Sequence, residues 1–414
     1  MRSKLMVVAA GLLACAGTGS ADDWPAFRGP SGDGRSSEKS APTTWGPDKN
    51  IKWKAPLAQP GNGSPIVSNG RVFIAAQEDP EGKKRSLYCY DRKDGKQLWV
   101  QTIEFGKVVE KHDTNTHSPS TPAADGKKVV VWHGSAGLHC YDFEGKKLWS
   151  RDLGAREHHY GEGTSPVIHG GKVFLNSGPD KKRVFAGAYK LETGETIWEK
   201  DEPFKGDGNM NEDGQELGSW STPLVLKDLV IFAMPTRLVA YGVEDGKLAW
   251  SCDGLRFAKG DVAHSSPMLA GDIVVYNAGY NGPSVGVKLG GSGDVTPAWR
   301  NPKSQTSIGS GVFLDGHVYL PFAGANVIEC MDPKTGKTLW KERQKGPFWG
   351  SIVTAGDKAY VTDQKGRTVV FKLNPEKFDG VAVNELGEDS NSTPAISDGQ
   401  IFIRTFKGLY CIGE

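Results

Sequence analysis

A short phrase, an acidic or polar turn through Gly that ends in Trp, returns along the chain and constrains the fold more than any other feature. It reads DRKDGKQLW at Asp91–Trp99, DFEGKKLW at Asp142–Trp149, KLETGETIW at Lys190–Trp198, GVEDGKLAW at Gly242–Trp250 and DPKTGKTLW at Asp332–Trp340. A looser copy, GSGDVTPAW, ends at Trp299. Between these phrases come eight Ser or Thr starts, mostly followed by Pro: Ser64, Thr121, Ser165, Thr222, Ser266, Ser310, Ser351 and Thr393, spaced 41 to 57 residues apart. A repeat of that period marks stacked supersecondary units, none of which buries its apolar face alone.

Each unit carries four strand signals, in the first copy SPIVSNG, RVFIAAQ, SLYCYD and KQLWVQTI, rich in β-branched and aromatic residues and bounded by Gly, Asn and Asp. Four antiparallel strands per unit make a propeller blade. The DG and TG turns want Gly in the left-handed region, where a Cβ would clash, so the count of 54 Gly in 414 residues follows from the repeat and rules out a helix bundle. The last copy, Thr393 to Glu414, supplies three strands and no Trp, whereas Ile51–Leu57 is a Trp strand with nothing before it. The expected fold is all-β: an eight-bladed propeller of four-stranded antiparallel blades, with the N-terminal strand joining the C-terminal blade to close the ring. The seventh unit lacks its Trp and carries Val383 in that region. The expected organisation is a leader at 1–21, an extended arm at 22–50 without strand pattern, and one propeller domain at 51–414.

The Asp-x-x-Thr-Gly-Lys-x-x-Trp turns resemble the tryptophan-docking repeats of the pyrroloquinoline quinone (PQQ)-like β-propeller superfamily, which includes quinoprotein alcohol dehydrogenases and the BamB-type outer-membrane assembly scaffold. The resemblance spans about Trp45 to Glu414 and assigns the docking role to Trp53, Trp99, Trp149, Trp198, Trp250, Trp299 and Trp340. The opening Asp23-Trp24-Pro25-Ala26-Phe27-Arg28-Gly29-Pro30 and the closing Val383-Asn384-Glu385-Leu386-Gly387 are similar to secreted PQQ-like repeat proteins of unassigned function. Such dehydrogenases combine a quinone, a calcium ion, a catalytic Asp and often a disulfide between adjacent cysteines. No two cysteines are adjacent here, no CxxCH haem attachment is present, and the chain lacks large insertions between blades. No cofactor is expected, PQQ with calcium being the disfavoured alternative, and no catalytic residue or metal ligand is assigned. The resemblance implies a non-catalytic binding or protein-assembly scaffold, with a quinoprotein-type oxidoreductase as the alternative; one fold hosts both.

Arg2 and Lys4 precede an apolar stretch from Leu5 to Ala16, and small residues lead to Ala21, the order of a secretory leader too short to span a bilayer. Export to a periplasmic or extracellular space is expected, with a lipid anchor at Cys15 as an alternative to cleavage after Ala21. The formal charge of +1 becomes −1 when Arg2 and Lys4 leave with the leader, which disfavours nucleic acid as a partner, and the protein is expected to be monomeric. Cys89, Cys140, Cys330 and Cys411 hold the same place in four units where Ala188 and Ala240 stand in two others, and are read as small core fillers rather than disulfide partners.

The binding site is sought where the repeat breaks down. Two residues before the eight starts stand Asn62, Pro119, Gly163, Trp220, His264, Ile308, Trp349 and Asn391, which do not repeat and which should ring the central funnel. Indole faces, an imidazole and amides suit a small flat or sugar-like ligand, with a protein partner left open. Crossings from each Trp to the next start run 22, 16, 24 and 16 residues from Trp99 to Ser266 but 11 elsewhere, so long loops crowd one side. Those loops bring His112, His117, His158 and His159, of which His117 and His159 join the funnel candidates; a metal site from both loops is conceivable but has no ligand spacing to support it.

Overall fold

In a computed structural model, described over residues 23–414, eight antiparallel blades form the propeller. The leader, its cleavage point and Cys15 lie outside the described residues. Blade 1 runs through Ile66–Ser68, Arg71–Gln77, Lys84–Asp91 and Gln97–Glu104, and blade 6 through Val312–Leu314, His317–Phe322, Val327–Asp332 and Lys337–Arg343. Blade 8 takes Ala395–Ser397, Gln400–Arg404 and Gly408–Ile412 from the C-terminus and Ile51–Pro56 from the N-terminus, paired antiparallel with Trp53 opposite Cys411. The ring therefore closes as the sequence indicates, with the N-terminal strand completing blade 8 to four strands.

The repeated phrase proves to be two halves of neighbouring interfaces. All but one of the docking indoles lean on the turn of the next blade and donate Nε1–H to a carbonyl there, among them Trp53 to Arg92 at 2.9 Å, Trp99 to Phe143 at 2.8 Å, Trp149 to Leu191 at 2.9 Å and Trp340 to Asn374 at 2.9 Å. Gly95 of that turn has φ 71°, and a Cβ on it would stand 2.6 Å from the Trp53 ring, so the glycine serves both the turn and the indole laid against it. Blade 5 has lost the regular turn, and accordingly the Trp250 Nε1–H has no partner among the described residues.

Across the strand pair, the residue opposite each docking Trp is small. Cys89 faces Trp99, Cys140 faces Trp149, Ala188 faces Trp198, Ala240 faces Trp250, Gly286 faces Trp299 and Cys330 faces Trp340. That register explains why Cys, Ala and Gly interchange at one repeat position, and all five described cysteines are free and buried. Burial pushes the Cys89, Cys140, Cys330 and Cys411 thiols up to about 12, which keeps them protonated and unreactive.

Blade 7 inverts the pattern. Val370 stands opposite Ala382, and it is Ala382, not Val383, that holds the docking position; Val383 points outward and is 59% exposed. Trp45 of the arm is 5% exposed and belongs to the apolar cluster that holds Tyr360 and Val370 of blade 7 and Ile401 and Phe402 of blade 8.

The arm is packed across one face of the ring. Trp24 is buried and bridges to Val67 of blade 1, the Pro25 carbonyl accepts the Ala124 N–H of blade 2 at 2.8 Å, the buried Arg28 donates to the Gly311 carbonyl at blade 6, and the Ser36 N–H reaches Thr354 of blade 7 at 3.0 Å. Phe27, midway along this strap, lines both the central funnel and the cavity on the arm's face, as do Thr222 and Ser266. Isolated bridges of this kind leave no alternating pattern in the sequence. No helix among the described residues is long and apolar enough to cross a membrane.

Candidate functional site

All eight non-repeating residues at the blade entrances converge on one cavity of about 330 Å³ on the propeller axis. The eight Ser and Thr starts line the same cavity one layer deeper. Their hydroxyls stitch the blades together: the backbone N–H of Ser64 donates to Thr121 Oγ1 at 2.9 Å, Thr121 to Ser165 Oγ at 3.0 Å, Ser266 to Ser310 Oγ at 2.8 Å, Ser310 to Ser351 Oγ at 3.0 Å, Ser351 to Thr393 Oγ1 at 2.9 Å and Thr393 to Ser64 Oγ at 2.9 Å. The chain is interrupted only on either side of Thr222, where blade 4 carries the longest crossings.

Those crossings are ordered by a two-stranded parallel ribbon, Glu216–Ser219 beside Gly260–Ala263. Trp220 and His264 follow directly from its two strands, with the Trp220 N–H donated to the Ala263 carbonyl at 2.7 Å. The ribbon thus sets indole and imidazole side by side, their ring centroids 5.1 Å apart. Trp220 is fixed further by donating Nε1–H to the Gly161 carbonyl at 2.8 Å, and it lies over Gly163, where a Cβ would come within 2.7 Å of the indole. Burial holds the His264 imidazole down to about 4, so it is neutral near pH 7, and its Nδ1 is enclosed without a partner among the described residues.

Tyr160 and Tyr280 extend this wall. Tyr160 packs edge-on to Trp220 with centroids 6.0 Å apart, and Tyr280 packs edge-on to His264 at 5.3 Å. The Tyr160 hydroxyl donates to Glu216 at 3.3 Å, and Glu216 also pairs with His159 Nε2 at 2.8 Å. On the far rim an amide relay runs from Gln364 to Asn391 (3.0 Å), Asn391 to Asn62 (3.0 Å) and Asn62 to Asn115 (3.2 Å), ending in Asn115 bonds to the carbonyls of Tyr160 and Glu162. Trp349 stands three blades on from Trp220.

Two of the sequence candidates take other places. His117 is buried against Gly82 of blade 1, with its N–H on Gln77 and burial pushing its imidazole down to about 4; it does not line the funnel. His159 sits behind the wall as the partner of Glu216, while its neighbour Tyr160 and the earlier His112 face the cavity. The repeat puts blade starts on the axis but says nothing about how a long loop folds back, which is why Tyr160, Tyr280, Asn115, Glu162 and Phe27 carried no signal as funnel residues.

The charge of the funnel is cancelled internally. Glu162 is its one lining carboxylate, and both oxygens are engaged: Oε1 accepts from the Ser135 N–H and from its hydroxyl at 2.7 Å, and Oε2 pairs with the fully buried Arg85 at 3.0 Å. No Lys or Arg among the described residues lines the cavity. PQQ is a planar quinone with three carboxyl groups, and calcium takes six to eight oxygen ligands, typically with carboxylates among them. The residues present offer no cation to the former and no free carboxylate to the latter, so they do not fit that pair.

A family model described as outer membrane protein assembly factor BamB matches residues 43–104, 83–320 and 292–377. The chain belongs to that family. No curated protein matches the sequence significantly. Among solved structures, this BamB-family chain is similar to quinohemoprotein alcohol dehydrogenase from Comamonas testosteroni, with TM-score 0.69, 13% identity and coverage of 95% of this chain and 81% of that one. It is also similar to a europium-containing methanol dehydrogenase (TM-score 0.68, 14% identity, 94% and 90% covered) and to BamB from Moraxella catarrhalis (TM-score 0.57, 15% identity, 91% and 97% covered). At these identities the likeness is one of fold, and it extends to both the dehydrogenase and the assembly-factor branches.

Proposed function

We propose that this chain is an exported binding or assembly scaffold of the BamB family, periplasmic or extracellular, whose ligand site is the axial funnel and which performs no quinone chemistry. The observation that carries the reading is the convergence of eight non-repeating residues, Asn62, Pro119, Gly163, Trp220, His264, Ile308, Trp349 and Asn391, on one cavity. A rigid scaffold with variable residues gathered at one mouth is the usual construction of a binding site. The engaged state of Glu162 and the lack of lining cations support a role without PQQ and calcium.

Native mass spectrometry of protein isolated from its own host, joined to a dye-linked dehydrogenase assay after incubation with PQQ and Ca²⁺, tests this. A retained mass other than a quinone, or a co-isolated protein, and no substrate-dependent dye reduction are expected. Dye reduction together with a bound quinone would replace the reading by a quinoprotein oxidoreductase.

A further inference from the structure

Taking the funnel as the ligand site, we infer that it selects an uncharged, hydroxyl-rich ligand, the end of a neutral glycan or a small neutral sugar. This rests on the reading above and narrows it. Three features of the cavity point the same way.

The first is the hydroxyl layer. Each of the six stitched starts uses one oxygen lone pair to accept a neighbour's N–H, and none of the eight hydroxyls donates its own proton to an acceptor among the described residues. An oxygen that accepts a hydrogen bond becomes a better donor through its own O–H, because the chain of bonds polarises. The layer is therefore a ring of donors open to a ligand's acceptors. The amide relay on the rim adds the complementary half, since Asn391 keeps a second N–H and a second lone pair and Asn62 a second lone pair. Sugar hydroxyls both donate and accept, and so match both sets.

The second is stacking surface. Tyr160, Trp220, His264 and Tyr280 form a continuous wall with neighbouring centroids 5.1 to 6.0 Å apart, and Trp349 faces the cavity from another blade. The C–H face of a pyranose packs on such rings while its hydroxyls reach the polar layer. The third is the cancelled charge: with Glu162 paired to Arg85 and no lining Lys or Arg, an anionic sugar would be desolvated without a counterion. A cavity of about 330 Å³ suits a small sugar or a chain terminus rather than the middle of a polymer.

The test is calorimetric titration of the full mature chain with neutral gluco-, galacto-, manno- and xylo-configured trisaccharides, the corresponding uronates, and PQQ with and without Ca²⁺. At least one neutral sugar is expected to bind, with its uronate about tenfold weaker or worse, and Trp349→Ala is expected to weaken it about tenfold while Trp349→Phe holds within about threefold. Ile308→Lys, which adds the cation the ring lacks, should move the preference toward the uronate. A uronate or PQQ bound more tightly than every neutral sugar and lost in Trp349→Ala, or no binding by any probe, overturns the sugar assignment while the funnel stands. A neutral sugar whose affinity is unmoved in both Trp349→Ala and Ile308→Lys would place the site elsewhere and take the funnel reading down.

Discussion

Asn384, in the outer strand of blade 7, accepts the backbone N–H of Trp45 on Oδ1 at 2.9 Å and donates Nδ2–H to the Thr43 carbonyl at 3.0 Å, fastening the arm to the one blade that lacks its own docking indole. Trp45 should therefore behave energetically as a docking residue although it lies outside the repeat. Trp45→Ala is expected to cost about 3 to 5 kcal/mol by denaturant unfolding, as a core cavity does, and Asn384→Ala about 1 to 3 kcal/mol through the lost bonds. A Trp45→Ala variant within about 0.5 kcal/mol of the parent would show that the slot is filled some other way.

The size rule across the outer strand pair makes a second prediction. Cys330 faces Trp340, so Cys330→Ala should be tolerated and Cys330→Leu should overpack the pair and cost about 1 to 3 kcal/mol. Equal melting temperatures for the two variants would contradict the register argument.

Stability should also depend on pH through histidines held neutral by burial. His117, His158 and His264 are each pushed down from 6.5 to about 4. A group whose protonation is refused by the folded state takes its proton on unfolding, so stability is whole above about pH 6.5 and falls as pH drops through the window to about 4. Thermal melts across pH 8 to 4 should follow that course, and His117→Gln should flatten it. A melting temperature level from pH 7 to 5 would contradict the assignment.

Ring closure is tested by truncation. Removing Asn50–Leu57 deletes the outer strand of blade 8, with the Trp53 that stands opposite Cys411, and should cause aggregation or loss of cooperative unfolding. Removing Asp22–Ser40 alone, which the bare sequence marks as the milder deletion for want of a strand pattern, is expected to destabilise as well, because Trp24 and Arg28 are buried. Unchanged melting of the first truncation would overturn the closure.

The blade count, the closure by Ile51–Pro56 and the funnel ring were legible because each follows from register: a repeat fixes which residue begins each inner strand, and hence which residues meet on the axis. The arm was illegible for the opposite reason. Trp24, Phe27 and Trp45 act through single contacts with distant blades, which impose no periodicity, and in blade 7 the docking position falls on Ala382, beside the Val383 marked by the sequence, because the turn before it holds six residues between Lys372 and Asp379 against four between Asp332 and Lys337 in blade 6. Tyr160 and Tyr280 reach the funnel through loop folding that the parallel ribbon at Glu216–Ser219 organises, a pairing between two crossings with no signature in either.

The funnel reading is tested most directly by comparing Trp220→Ala and Trp349→Ala with Trp340→Ala, measuring in one set of preparations from the native host both the non-covalent mass retained in native mass spectrometry and the melting temperature. The account predicts that the two funnel variants lose the retained mass and fall less in melting temperature than Trp340→Ala, whose indole fills an interface between blades and whose removal should cost about 3 to 5 kcal/mol. Funnel variants that keep the mass and melt as low as Trp340→Ala would contradict it, making Trp220 and Trp349 packing for a plugged channel.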